Sequence, residues 1–441
     1  ETVKPLFLTP YVENGDIETG RKLASVPSEL WLGVESYSGF FTVDKHLGSN
    51  HFFWYFPSMT NAKDAPVILW LNGGPGASSL YGTFQENGPV SVFDGKILRR
   101  EINWATNHHL IYVDQPVGTG FSFTNSSKGY CTNEEQVGAQ LYSTMSQFFQ
   151  LFPELQKNEF YIVGESYAGK YGPALAYFIH KKNPDTQVKI NLKGVALGNG
   201  FCDPINLLSY DKYLYQLGLI DHKQKKALYK VRKETEKFIR HTDWQKATDY
   251  IIILLTQMVN NFARLYYNAI YNFLNVKQDD VNSQRENFGI ILQEAAVRKT
   301  LHVGKLPYIG MNEVVFDNLY LDFSQSITPW ISELLDYYDF VIYNGELDII
   351  VGYPLTAKFL SRLKFSDRDK YLNASRSIWR EKNDVVGWVK QGGRLTDIMI
   401  RNAGHMVPHD QPKWAWEMIT MFTHKTRFMA DKDREKFDNT Y

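Results

Sequence analysis

Continuous apolar runs at 67–71, 110–113, 160–163, 195–197 and 340–343 read as buried central strands, since strands covered on both faces carry no polar alternation. Residues 37–41 and 51–56 are rich in aromatic side chains of high strand preference and predict an antiparallel pair, with Gly48-Ser49-Asn50 in the turn between them. Thr132-Asn133-Glu134-Glu135 fits a capping box, which predicts an amphipathic helix to about Leu151, stopped by Pro153. A second helix is expected over 171–179, a third over 354–363 and a closing one over 412–422, with a last strand at 395–400. Strand and helix alternate, which implies a mostly parallel sheet with helices on both faces.

Two stretches break the alternation. Residues 1–36 are polar with scattered apolar anchors and read as an extended arm. From 205 to 330 clear strands stop; 223–240 is a charged helix and 250–274 reads as one or two aromatic-rich helices. The α/β pattern then resumes, so 205–330 is expected to be a helical cap inserted into a core formed by 1–204 and 331–441. The tail after Thr423 is charged and reads as solvated.

Composition narrows the function. Lysine plus arginine balance aspartate plus glutamate at 48 each, which argues against nucleic acid as a partner. No apolar run is long enough to span a membrane. The beginning, Glu1-Thr2-Val3-Lys4-Pro5, resembles a mature N-terminus from which a leader has been removed. Two cysteines, Cys131 and Cys202, make no disulfide scaffold, and their pairing stays open. Sequons occur at Asn125 and Asn373.

The chemistry gathers at strand ends, where ligand sites of open α/β sheets lie. Gly164-Glu165-Ser166-Tyr167-Ala168-Gly169 reads as strand, sharp turn and helix, with the serine at the turn. A serine hydroxyl needs a base to take its proton, and the base is usually a histidine held by a carboxylate. Asp348 follows the strand at 340–343, and His405 follows the strand at 395–400. The order Ser166, Asp348, His405 is that of the α/β-hydrolases. Asn72-Gly73-Gly74-Pro75-Gly76 ends the first central strand; the N–H groups of Gly74 and Tyr167 are expected to form the oxyanion hole.

Asn72 to Ser79, Gly164 to Gly169, Asn344 to Asp348 and Gly404-His405-Met406-Val407-Pro408, together with Asp114 to Ser122, resemble the motifs of the serine carboxypeptidases, nearest to the vitellogenic, vitellogenic-like and venom members. The resemblance runs from about Tyr37 to Phe422. It implies an α/β-hydrolase fold with a helical cap and removal of single residues from peptide C-termini through an acyl-enzyme. It also implies a secreted, lysosomal or vacuolar location, where Asn125 and Asn373 would be glycosylated. No metal or cofactor is required.

By the same resemblance Asn72, Glu86 and Glu165 bind the substrate carboxylate, and Met406 lines the leaving-residue pocket. A glutamate beside the nucleophile is chemically odd, because its ionised form would repel that carboxylate. A proton shared by Glu86 and Glu165 removes the difficulty and predicts an acidic optimum. Ala77 stands where relatives often have a cysteine tied to the insertion, so that clamp is absent here. Acyltransfer or ester hydrolysis on the same scaffold, and a carrier that retains the fold, are the competing readings. The preferred C-terminal residue, and whether the chain is a monomer or homodimer, stay open; aromatics around Tyr266, Tyr267 and Tyr271 hint at apolar side chains.

Overall fold

The computed structural model describes residues 4–260, 267–274 and 287–426. Its centre is a ten-stranded sheet. The strands are β1 (Tyr37–Asp44), β2 (Ser49–Phe56), β3 (Val67–Leu71), β6 (His109–Val113), β7 (Phe160–Glu165), β8 (Leu192–Gly198), β9 (Asp339–Gly345), β10 (Arg376–Glu381), β11 (Asp384–Gly392) and β12 (Leu395–Ile400). A separate hairpin supplies β4 (Val90–Phe93) and β5 (Lys96–Arg99). The order across the large sheet is β1-β2-β6-β3-β7-β8-β9-β12-β11-β10. Strands β6 to β12 of that order are parallel, and an antiparallel pair finishes each edge.

Strict period-two alternation sends the two faces of each strand into two cores. Val67, Leu69 and Leu71 join Ile111, Val113 and Ile162 on one face. Ile68 and Trp70 join Tyr112, Val163, Tyr343 and Ile398 on the other. Helices Glu134–Leu151 and Ala168–Lys182 cover the first face, and helix Pro412–Thr423 covers the second. The helix cap sits one residue later than the sequence suggested: Asn133 accepts from the N–H of Gln136 at 3.0 Å.

Three expectations change. The N-terminal stretch is not an extended arm: it forms helices Thr9–Glu13 and Ile17–Ala24. Its anchors Leu8, Val12 and Ala24 are buried in the first core, and a Cβ on Gly20 would lie 3.1 Å from Leu151. The β10–β11 hairpin was not foreseen, because half of Arg376–Glu381 is charged and the strand is partly exposed, as an edge strand can be. Both cysteines are buried free thiols, so the open pairing resolves to none.

Between β8 and β9 the described chain is helical, with no strand among the described residues. Its longest members are His222–Arg240 and Trp244–Met258. The second ends well before 274, and Tyr266 lies outside the described residues. A short 3-10 turn, Tyr267–Ile270, follows. The charged tail beyond 426 also lies outside the described residues.

Candidate active site

Ser166 stands at the end of β7 with φ +62°, a left-handed conformation that costs a side-chain-bearing residue energy. The strain is held by hydrogen bonds around the turn: the Ser166 N–H donates to the Gly198 carbonyl at 3.0 Å, and its carbonyl accepts from Phe201 at 2.8 Å and Gly169 at 2.9 Å. This turn also presses on the loop after β3. A Cβ on Gly73 would come within 2.3 Å of the Tyr167 nitrogen, so only glycine fits there. Gly74 follows with φ +106°. Among the described residues, neither the Gly74 nor the Tyr167 N–H has a hydrogen-bond acceptor. The Tyr167 ring turns down into the core, where its hydroxyl donates to Asp322 Oδ2 at 2.9 Å.

Asp348 is fully buried in the loop after β9 and accepts four hydrogen bonds. His405 Nδ1 lies 2.8 Å from Oδ2, Asn199 Nδ2 2.6 Å from the same oxygen, and the N–H groups of Ile350 and Val351 donate at 2.8 and 3.2 Å. Four donors converging on one carboxylate hold it in one orientation. Nδ1 of His405 therefore carries its hydrogen toward Asp348, which leaves Nε2 as the basic nitrogen. Asn199 was not singled out from sequence beyond its place in Gly198-Asn199-Gly200; a polar residue between two glycines at a strand end was the available signal.

Ser166 and His405 share the wall of a cavity of about 600 Å³. Asn72, Gly74, Glu165 and Met406 line it too, while Glu86, Tyr167 and Asp348 are not among its lining residues. Glu86 lies behind Asn72, at the end of the one-turn π-helix Gly82–Glu86, a form common at functional sites. Asn72 Nδ2 donates to Glu86 Oε1 at 3.0 Å, while Asn72 Oδ1 accepts from Trp70 Nε1 at 2.7 Å and from the Gly82 N–H at 3.0 Å. That fixes which end of the amide points where. The Glu86 and Glu165 carboxyls meet. Burial raises the Glu86 pKa, and burial, followed by the charge of Glu86, raises that of Glu165 well above the carboxylate range. The two carboxyls titrate as a pair, and Glu165 is the member that lines the cavity.

Residues that sequence reasoning missed complete the cavity. Asp410 Oδ2 accepts from the Gly404 N–H at 2.7 Å and from Asn272 Nδ2 at 3.0 Å. Tyr81, Phe288, Tyr308 and Met311 form an apolar wall. Beside the site, Asp114 accepts from Ser78 Oγ at 2.6 Å, Ser79 N at 3.1 Å and Phe121 N at 2.9 Å, tying two loops together.

The sequence profile of the serine carboxypeptidases matches residues 27–425. The chain belongs to the serine carboxypeptidase family. By that membership it is a serine-type peptide hydrolase acting at C-termini. It is 45% identical to the venom serine carboxypeptidase of Apis mellifera over 96% of this chain and 92% of that one. It is 46% identical to the vitellogenic carboxypeptidase of Aedes aegypti over 96% and 91%. The crystal structure of Kex1(delta)p, a prohormone-processing carboxypeptidase from Saccharomyces cerevisiae, has a TM-score of 0.79 and covers 92% of this chain and 96% of that one; at 24% identity it shows the α/β-hydrolase fold of the family.

Proposed function

We propose that Ser166, Asp348 and His405 are the catalytic triad of this carboxypeptidase, and that Glu86, Glu165 and Asn72 select a free C-terminal carboxylate. The observation that carries the reading is the 2.8 Å contact between Asp348 and His405 on the wall of the cavity that Ser166 enters.

In this reading Ser166 Oγ attacks the last peptide carbonyl as His405 Nε2 takes the hydroxyl proton. Asp348 stabilises the resulting imidazolium through Nδ1–H. The oxyanion accepts from the N–H groups of Gly74 and Tyr167, each contributing roughly 3 kcal/mol. His405 then gives its proton to the leaving amino acid, and a water activated by the same imidazole releases the shortened peptide. The substrate carboxylate accepts from Asn72 Nδ2 and from the protonated Glu165, which is supported by the raised pKa of that carboxyl. Met406, beside His405, lines the leaving-residue pocket, and the four-membered apolar wall suits the residue before the scissile bond.

The 205–330 insertion acts as the cap. The Tyr271–Asn272 segment beside His405 supports this. A secreted or lysosomal location agrees with the protonated glutamate pair, and Asn125 and Asn373 are both exposed for glycosylation. The site needs no metal or cofactor. The experiment is hydrolysis of a blocked dipeptide beside its C-terminal amide, at acidic and neutral pH, with Ser166→Ala as control. Release of the free amino acid, strongest in acid and lost in the control, is the expected result. Equal cleavage of the amide would overturn the carboxylate assignment, and full activity of the control would overturn the triad.

A further inference from the structure

A second cavity, of about 690 Å³, opens between helices Pro204–Leu207, Tyr210–Gln216, His222–Arg240 and Tyr353–Arg362. Its size is that of a small-ligand site. Six cations line it: Lys212, Arg232, Lys233, Arg240, Lys358 and Arg362. The whole chain has as many acids as bases, so this is a local concentration of charge and not a background excess.

The acids nearby are already engaged. Asp211 takes Arg232 at 2.7 Å. Glu236 takes Arg232 at 2.5 Å, Lys233 at 3.1 Å and Arg240 at 3.7 Å. Asp203, whose charge also reaches Lys358 and Arg362, accepts from Asn206 Nδ2 at 2.5 Å. Among the described residues Lys212, Lys358 and Arg362 have no carboxylate within ion-pair distance. Lys358 is half-buried, and its one hydrogen bond is to Ser209 Oγ at 3.0 Å. Burial lowers its pKa, with repulsion from Arg232, Arg362 and Lys212 acting in the same direction against the pull of Glu236. Like charges gathered in a concave, partly desolvated space are unfavourable unless an anion joins them.

We propose that this cavity binds an anionic saccharide carrying a phosphate or sulfate ester. A tetrahedral oxyanion offers several acceptors at once, which suits an ammonium and a guanidinium fork arranged around one space. The saccharide part follows from Tyr229 on the cavity wall, a residue 45% accessible although Arg232 Cζ and Lys233 Nζ lie over its ring, 5.2 and 5.9 Å from the centroid. A flat exposed aromatic ring stacks on the apolar face of a sugar, and the flanking cations take its ester.

The test is calorimetric titration of the full chain at physiological ionic strength with a hexose phosphate, a sulfated disaccharide, the unsubstituted disaccharide and inorganic phosphate. One of the two esters is expected to bind at a single site, and the unsubstituted sugar is not. Which ester binds identifies the source of the anion. Lys358→Gln combined with Arg362→Gln should weaken binding at least tenfold while peptide hydrolysis is unchanged. Arg362→Glu, at an exposed position, should do the same if the double variant folds poorly. Failure of both esters to bind, or binding that survives Arg362→Glu unchanged, would overturn the site. Inorganic phosphate binding as tightly as the esters would overturn the saccharide.

Discussion

The main-chain N–H of His405 donates to the carbonyl of Tyr271 over 2.6 Å, so the helical stretch between β8 and β9 is in direct contact with the loop that carries His405. Their rings also lie 5.4 Å apart. A Cβ on Gly404 would approach the Tyr271 carbonyl to 2.2 Å, and that hydrogen bond could not keep its length. Gly404→Ala is therefore expected to displace His405 and lower kcat/KM by roughly 100-fold, the effect of a displacement on the order of 1 Å. Steady-state kinetics beside an unchanged circular dichroism spectrum checks it; near-normal kcat/KM would show that the insertion does not set the imidazole.

Asp348→Asn keeps shape but presents the wrong atoms to His405. The amide carries no charge to stabilise the imidazolium, and it places a donor among the N–H groups of Asn199, Ile350 and Val351, which need acceptors. By comparison with other triads, a loss of about 10⁴ in kcat is expected, against about 10⁶ for Ser166→Ala. Active-serine labelling by a phosphonate should slow with the first variant and vanish with the second. Undiminished labelling after Asp348→Asn would remove the aspartate from the triad.

The glutamate pair sets a pH dependence with a definite sign. Glu165 must hold its proton to donate to a carboxylate, and burial together with Glu86 raises its pKa. Activity on free C-termini is thus full below the upper pKa of the pair and falls as pH rises through it. Glu165→Gln keeps a donor at all pH values, so the alkaline fall in kcat/KM should flatten. A profile that falls at the same pH in the variant would assign the titration to another group.

How much of this was readable from residues differs by element. The central strands carry uninterrupted apolar runs because both faces are buried, and β3 was read to the residue. The proposed triad could be picked out from sequence because its three members fall at three strand ends in a fixed order. The edge hairpin was not, since Arg376–Glu381 carries charge at three of six positions and reads as loop until a partner strand is known. Asn199 and Asp410 were missed for another reason. Each makes a side-chain contact with a residue distant in sequence, Asn199 with Asp348 and Asp410 with Asn272, and no local pattern encodes such a contact.

Beneath the nucleophile turn, Lys170 Nζ lies 3.0 Å from Asp322 Oδ2, with side-chain exposures of only 1% and 7%. Glu134 sits beside them, its pKa raised well above normal by burial and by Asp322. Removing one member of a buried pair leaves the other charge without compensation, so Lys170→Met should cost about 3–5 kcal/mol. Lys181 pairs with Glu333 at the surface, where the side chains are 47% and 37% exposed; an exposed pair is worth about 0–1 kcal/mol. Denaturant unfolding of Lys170→Met and Lys181→Met should therefore differ severalfold in lost stability. Equal losses would mean that the buried pair is no more than a packing contact.

Acid should weaken the fold through histidines remote from the site. His51 is fully buried on β2, bonded through Nδ1 to Thr144 Oγ at 2.8 Å, and burial lowers its pKa to about 3. His108 is lowered to about 3 by burial as well. The unfolded chain takes up a proton at each near pH 6.5 while the folded chain does not. The stability from each neutral ring is complete above about pH 6.5 and is lost as pH falls toward 3. Asp114, raised by burial to about 7, acts oppositely: its neutral form is favoured in the fold, so its contribution declines as pH rises from about 4 to 7. The two effects partly cancel in the whole protein, which is why a single variant is needed to separate them. His51→Asn removes one histidine term and leaves Asp114 in place. Relative to the variant, the wild type should lose up to about 3 kcal/mol between pH 6.5 and pH 4, at most about 1.4 kcal/mol per pH unit for one proton. Parallel stability curves for the two proteins across that range would show that His51 is protonated within the fold.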